Sequence, residues 1–156
     1  MKLNNTLQRI SFRTKFGWIT VIAEDKKIVE IKFKKMKKKS YNTNLLKFRS
    51  LLNTFFLKKK YAINFSYKIE GSKVQKKVWN EIKNIKYGKT KTYGEIAKKL
   101  KLSPRHVGKI CGQNKLLLII PCHRVIRSDG QLGGFSAKGG ISLKKKLLNF
   151  EKNCIN

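Results

Sequence analysis

The sequence predicts a mixed α/β chain, strand-rich in its first half and mostly helical in its second. Three observations carry this expectation. Residues 18–23 and 28–33 are short apolar-rich segments parted by Glu24-Asp25-Lys26-Lys27, the pattern of a hairpin. From Gly71 onward apolar residues recur at helical spacing. Ser103-Pro104 then supplies a capping hydroxyl followed by a proline, a strong helix start. The chain accordingly divides into a small N-terminal α/β structural domain, residues 1–68, and a mostly helical domain, 69–156, with some strand.

Taken in order, residues 45–56 follow the hairpin with apolar side chains at 45, 46, 48, 51, 52, 55 and 56, close to helical spacing. Residues 61–67 are expected to return as a strand. In the second half, Val74, Val78, Ile82 and Ile85 mark one helical face with Trp79 beside it, leaving Lys76, Lys77 and Lys83 to solvent. Tyr87-Gly88-Lys89 breaks that helix. Thr92 is the expected cap of a second helix over 93–100, and Ser103 of a third from Pro104 to Gly112. The last two, joined by a few residues, form a helix-turn-helix candidate. Its second helix carries Arg105 in the first turn, Gly108 where a small residue permits close backbone approach, and Lys109 as a further positive charge.

The five apolar residues 116–120 read as a buried strand that Pro121 ends, with Cys122-His123 at its mouth. A glycine-dense loop spans 130–140. It lacks a Walker A ending and any dinucleotide fingerprint, so a pocket wall fits better than a phosphate cradle. From Ser142, the positions of Leu143, Leu147, Phe150 and Cys154 trace a final apolar helical stripe, with Glu151 on its edge.

Composition narrows the function classes. Thirty-eight Lys and Arg face eight Asp and Glu, a net charge of +30, which favours a polyanionic partner. Lysine runs at 34–39 and 58–60 read as solvated faces or loops that specify no base sequence. Three unpaired-looking cysteines, Cys111, Cys122 and Cys154, argue against a disulfide framework. With two histidines and no CxxC, a structural zinc site is not expected. No apolar span of about 18 residues exists and no secretory core follows Met1, so a soluble, cytoplasmic chain without membrane contact is expected.

Chemistry concentrates around Cys122. An adjacent imidazole can take a thiol proton and raise the thiolate fraction, and His123 is such a neighbour. In extended chain the two side chains point apart, so the pair needs a turn or a bridging water. Glu151 faces inward and needs a partner, either His123 or one of the lysines. At this level a Cys-His-Glu hydrolase, an alkyl acceptor and a non-enzymatic lesion-binding module are all open.

A resemblance discriminates among them. The pieces are Val78-Trp79, the run Gly88-Lys89-Thr90-Lys91-Thr92-Tyr93, Arg105-His106-Val107-Gly108, Asn114, Pro121-Cys122-His123-Arg124-Val125-Ile126, and Lys144 through Leu147-Leu148 to Glu151. In these the sequence resembles the O6-alkylguanine-DNA alkyltransferases, also called methylated-DNA–protein-cysteine methyltransferases. It departs at His106, at Lys115 and in a longer loop before Gly139. The resemblance implies a repair enzyme that moves an alkyl group from O6-alkylguanine in double-stranded DNA, with O4-alkylthymine a further candidate, irreversibly onto Cys122. His123 would reach the thiol through a water, Glu151 would orient His123, and Asn114 would brace the turn. Tyr93 and Arg105 would help turn the nucleotide out of the duplex, Tyr93 also serving as proton donor. Gly108 and Lys109 would lie against DNA, and Val125, Phe135 and Ser136 in the substrate pocket. A monomer without cofactor or metal is expected. One alkyl group is expected per molecule, because no second thiol is spaced to resolve the product.

Overall fold

The computed structural model describes residues 7–37, 40–57 and 62–155. Lys38, Lys39 and Lys58–Lys60 of the lysine runs, and Tyr61 of the expected strand, lie outside them. The chain falls into two compact units, residues 1–69 and 70–156.

The first unit is an antiparallel sheet of three strands in chain order, β1 (Leu7–Thr14), β2 (Gly17–Glu24) and β3 (Lys27–Lys32), with helix α1 (Thr43–Phe56) against β1. The expected hairpin is β2–β3, in register from Glu24 opposite Lys27, with Asp25 in left-handed backbone at the turn. Central β2 is buried from Ile19 through Ala23. Its one polar member there, Thr20, has its hydroxyl served by the Lys34 carbonyl at 2.6 Å and by Ser11. β1 escapes the sequence reading because only Ile10 and Phe12 turn inward, while Arg9, Ser11 and Arg13 alternate with them. Leu45, Phe48, Leu52, Phe55 and Phe56 are the buried side of α1. Each large apolar side chain so buried contributes about 1.5–3 kcal/mol.

The expected strand over 61–67 is reduced to a single parallel bridge between Ile28 and Tyr67. Ile28 donates to Ser66 and accepts from Lys68. Phe65 turns its ring edge-on to Phe48, 4.9 Å between centroids, packing against the helix.

The second unit holds α2 (Lys73–Lys83), α3 (Tyr93–Leu100), α4 (Pro104–Gly112) and α5 (Gly140–Ile155), with a two-residue parallel ladder between β4 (Lys91–Thr92) and β5 (Val125–Ile126). Local chemistry explains the helix starts. Ser72 with Gln75, and Thr92 with Glu95, form reciprocal capping boxes. Ser103 accepts from the His106 amide with Pro104 in the first turn. Lys101 closes α3 in left-handed backbone, and three residues later α4 begins. The pair α3–α4 is the expected helix-turn-helix. Trp79 of α2 donates its indole N–H to the Ile110 carbonyl at 3.1 Å, and Glu81 of α2 pairs with Lys99 of α3 at 2.8 Å.

Two expectations for this unit are corrected. Val74 is exposed rather than on the buried face, and Ile85 is buried but lies beyond the end of α2. Residues 117–119 form a turn rather than the expected strand, with the Ile120 amide bonded back to the Leu116 carbonyl at 2.8 Å. All five side chains of 116–120 are buried. Leu118 has φ of 73°, a backbone state costing an L-residue about 1–2 kcal/mol. Asn114 makes the turn workable by accepting from the Leu116 amide and donating to the Ile120 carbonyl, each at 2.8 Å. Among the described residues no helix is long and apolar enough to cross a membrane.

Replacing Ser103 by Ala removes the cap that starts α4. A loss of about 1 kcal/mol is expected, seen as a lower urea midpoint with an unchanged slope.

Candidate active site

Cys122 opens a single 3-10 turn, Cys122–Arg124, directly after Pro121. This turn supplies what an extended strand end would not: two adjacent side chains, His123 and Arg124, brought to one carboxylate while Cys122 borders a cavity. The Cys122 sulfur accepts from the Asn114 carboxamide at 3.0 Å and donates to the Cys111 carbonyl at 3.6 Å. Asn114 thus ties the acceptor sulfur to the turn that precedes it. Cys122 is 5% exposed, and its small open surface faces a cavity of about 380 Å³. Tyr93, Gly108, Cys111, Gly112, Phe135 and Ser136 are among the other residues lining that cavity.

His123 and Arg124 point the other way, onto Glu151 of α5. His123 Nε2 lies 2.6 Å from Glu151 Oε1. Arg124 donates through Nε to Oε2 at 2.9 Å and through Nη2 to Oε1 at 2.9 Å, while its Nη1 donates to the Ile85 carbonyl at 2.7 Å. The Gly88 amide adds a bond to Oε2 at 3.1 Å. Burial alone would raise the Glu151 carboxyl, but His123 and Arg124 outweigh it and hold it at about 2. His123 is shifted down, chiefly by burial against the opposing pull of Glu151. The imidazole is therefore neutral at pH 7, donating from Nε2 to the carboxylate and leaving Nδ1 as an acceptor. The two alternatives for Glu151 are resolved: its partners are His123 and an arginine, not a lysine.

Tyr93 stands at the first position of α3 and borders the cavity. Burial, with the nearby thiols, pushes its phenol up to about 12, so it stays protonated. Lys144 of α5 is fully buried, with Nζ 3.3 Å from both the Tyr93 hydroxyl and the Gly134 carbonyl. Burial pushes this ammonium down to about 8. Because Lys144 donates to the Tyr93 oxygen, the phenolic hydrogen is left for another acceptor. Gly133, at φ of 70°, packs so close to Tyr93 that a Cβ there would meet its ring at 3.1 Å.

The other expected site residues divide. Arg105 and Lys109 are exposed on α4. At Gly108 an added Cβ would touch only Tyr93, at an ordinary 3.9 Å, so the space left open there belongs to the cavity. Phe135 and Ser136 line the cavity from the glycine-rich loop. Val125 does not join them. It is fully buried in β5, paired with Lys91, because the ladder carries it away from the cavity into the core.

Sequence reasoning missed three participants. Arg124 was passed over as part of a motif, though a buried acid beside two bases was the signal. Lys144 has the same helical phase as Leu147 and Glu151, the criterion that singled out Glu151. Cys111 is a second thiol beside Cys122: the Cys122 sulfur donates to its carbonyl, and both residues line one cavity. Among the described residues no group of His, Cys, Asp or Glu could hold a metal ion.

Known proteins resemble this chain along most of its length. Residues 73–153 match the family model for the 6-O-methylguanine DNA methyltransferase DNA-binding domain. The chain is 36% identical over 148 residues to a methylated-DNA–protein-cysteine methyltransferase of Metallosphaera sedula, covering 93% of each chain. The chain belongs to that family. A Sulfolobus acidocaldarius member is 38% identical, with 90% of each chain covered. The crystal structure of Mycobacterium tuberculosis O6-methylguanine methyltransferase superposes with a TM-score of 0.83 at 26% identity, covering 95% of this chain and 94% of that one. Mycobacterium tuberculosis OGT in complex with DNA gives 0.81 at 27% identity, with 95% and 93% covered.

The buried carboxylate has a measurable signature. Glu151 titrates at about 2 in the fold against an ordinary value of 4.5. Its stabilisation is therefore complete above pH 4.5 and is lost as pH falls from there toward 2. Glu151→Gln leaves Arg124 buried and uncompensated. A loss of roughly 3–5 kcal/mol at neutral pH is expected, with a flatter acid limb in urea unfolding measured against pH.

Proposed function

We propose that this protein repairs DNA by transferring an alkyl group from the O6 position of guanine irreversibly to Cys122, once per molecule. Family membership carries the general activity, alkyl transfer from DNA to a protein cysteine. The observation that carries the assignment to Cys122 is its placement: a thiol on a small cavity, braced by Asn114, between the helix-turn-helix and the glycine-rich loop.

The chemistry is an in-line displacement. The Cys122 sulfur forms a bond to the alkyl carbon as the carbon–O6 bond breaks, and the electron pair passes to the purine. A soft thiolate held in place suits this step. Cys122 is raised well above its ordinary value, chiefly by its bond with the Cys111 thiol and by burial, so the proton must be taken as the alkylated base arrives. The free Nδ1 of His123 is the acceptor, reached through a water, with Glu151 and Arg124 holding the ring. Tyr93 offers its hydrogen to the departing purine, and Lys144 stabilises the phenolic oxygen as charge builds there.

The base must leave the duplex to reach the cavity, at a cost of a few kcal/mol. Arg105, exposed in the first turn of α4, fills the vacated space from the minor groove, with Gly108 and Lys109 along the same contact. Ser136 and Phe135 close the far wall over the purine. Residues 69–156 thus bear both DNA contact and chemistry, and 1–68 act as a structural domain. The product is a thioether, which neither water nor a thiol cleaves as it would a thioester. The reading takes a monomer acting on double-stranded DNA without a cofactor.

Intact-mass measurement after incubation with a duplex containing O6-methylguanine should show one added methyl per molecule, absent in Cys122→Ser. Methylation surviving that substitution, or product exceeding one equivalent, would sink the proposal. Arg105→Ala should slow repair of the duplex roughly tenfold or more, since about 1.4 kcal/mol of lost assistance to extrusion is a factor of ten. Reaction with the free alkylated base, which needs no extrusion, should keep its rate; equal slowing of both would refute the assignment.

A further inference from the structure

Alkyl transfer uses one thiol, yet two line the cavity. Cys111 occupies the last turn of α4 and is 7% exposed. Cys122 Sγ donates to its carbonyl oxygen at 3.6 Å, which sets the two cysteines side by side. Both residues border the same space, where a small solute reaches them together. Cys111 has no part in releasing an alkylated Cys122, because thiol exchange breaks sulfur–sulfur bonds and not carbon–sulfur bonds. Its position beside the acceptor calls for a different chemistry.

We propose that Cys111 and Cys122 form a reversible redox lock, in which a hydroperoxide converts the pair to a disulfide that withdraws the acceptor thiol from repair. The lock's effect on repair rests on the reading of Cys122 as the alkyl acceptor; the formation of the bond does not. One sulfur attacks the peroxide, breaking its O–O bond and becoming a sulfenic acid. The second sulfur displaces the hydroxyl, forming the S–S bond and releasing water. In sum, two thiols and one hydrogen peroxide give one disulfide and two waters, the sulfurs losing two electrons to the peroxide oxygens. A dithiol reverses the bond by exchange.

The local electrostatics favour this sequence. Cys111 is held below the ordinary thiol value, chiefly by the hydrogen bond from Cys122 and also by the Lys144 ammonium. The pair therefore offers one sulfur nearer to ionisation beside one that keeps its proton. Closure brings the sulfurs to about 2 Å, starting from a Cys122 sulfur that already lies against the Cys111 main chain. The disulfide also shields Cys122 from the sulfinic acid that peroxide would otherwise form, a product thiols do not reduce.

The test uses the full chain treated with hydrogen peroxide, quenched by a thiol-alkylating reagent in denaturant, then analysed by intact mass and non-reducing peptide mapping. One blocked thiol is expected in place of three, with Cys111 joined to Cys122, and three blockable thiols and repair of methylated duplex should both return when dithiothreitol precedes the quench. Cys154→Ser should form the same bond. In Cys111→Ala, peroxide should carry Cys122 to an oxygen-bearing product that dithiothreitol does not reverse. Oxygen addition to native Cys122 without the cross-link, or a cross-link that uses Cys154, overturns the proposal. If the cross-link forms but repair of the reduced protein does not depend on Cys122, the lock stands and the acceptor assignment fails.

Discussion

Glu151 is one carboxylate on which three parts of the second unit converge. His123 and Arg124 reach it from the 3-10 turn, Gly88 from the loop after α2, and α5 carries it. Through Arg124 the same cluster holds the Ile85 carbonyl at the end of α2. A buried acid is tolerable only with such complete pairing, because each missing partner leaves charge in a medium that cannot solvate it. The arrangement separates two duties within three residues. Arg124 neutralises the carboxylate while burial chiefly keeps His123 neutral, and a neutral ring is the one able to accept a proton. The guanidinium adds to the downward shift of His123, against the pull of the same carboxylate.

What could be read from the sequence was local. Helices α3 and α4 follow their caps, since Thr92, Ser103 and Pro104 act within three residues of their own positions. The cysteine, its histidine and Glu151 were visible as chemistry and as a family motif. The missing parts share a cause: each depends on a partner far along the chain or on a backbone state its residue type disfavours. Leu118 in left-handed backbone has no signature in an apolar run, so 116–120 read as a strand. Lys144 belongs to the stripe of Leu147 and Glu151, but lysine in a run of three reads as surface. The contact between Cys111 and Cys122 depends on how α4 meets the 3-10 turn.

The charge of +30 also takes on structure. Of eight acids, Glu151 is buried and wholly committed to the site, while Glu81 joins α2 to Lys99 and stands near Lys91. Few carboxylates remain to offset thirty-eight Lys and Arg, so the positive field is little moderated at the surface. Such a field draws the protein to phosphate without regard to sequence and makes binding strongly dependent on salt. It complements a site that identifies a chemical lesion rather than a base sequence.

The short ladder of β4 and β5 has a consequence for which substrates the cavity can admit. Lys91 and Thr92, paired with Val125 and Ile126, immediately precede Tyr93 and follow the Cys122–Arg124 turn. The ladder works as a caliper, setting the gap between the tyrosine and the cysteine by main-chain bonds that no side-chain substitution resets. Room for a bulkier adduct therefore has to come from the opposite jaw, the stretch from Gly130 to Gly140, where four of the five glycines have positive φ. On the proposed function, the breadth of lesions accepted follows from that loop rather than from the ladder.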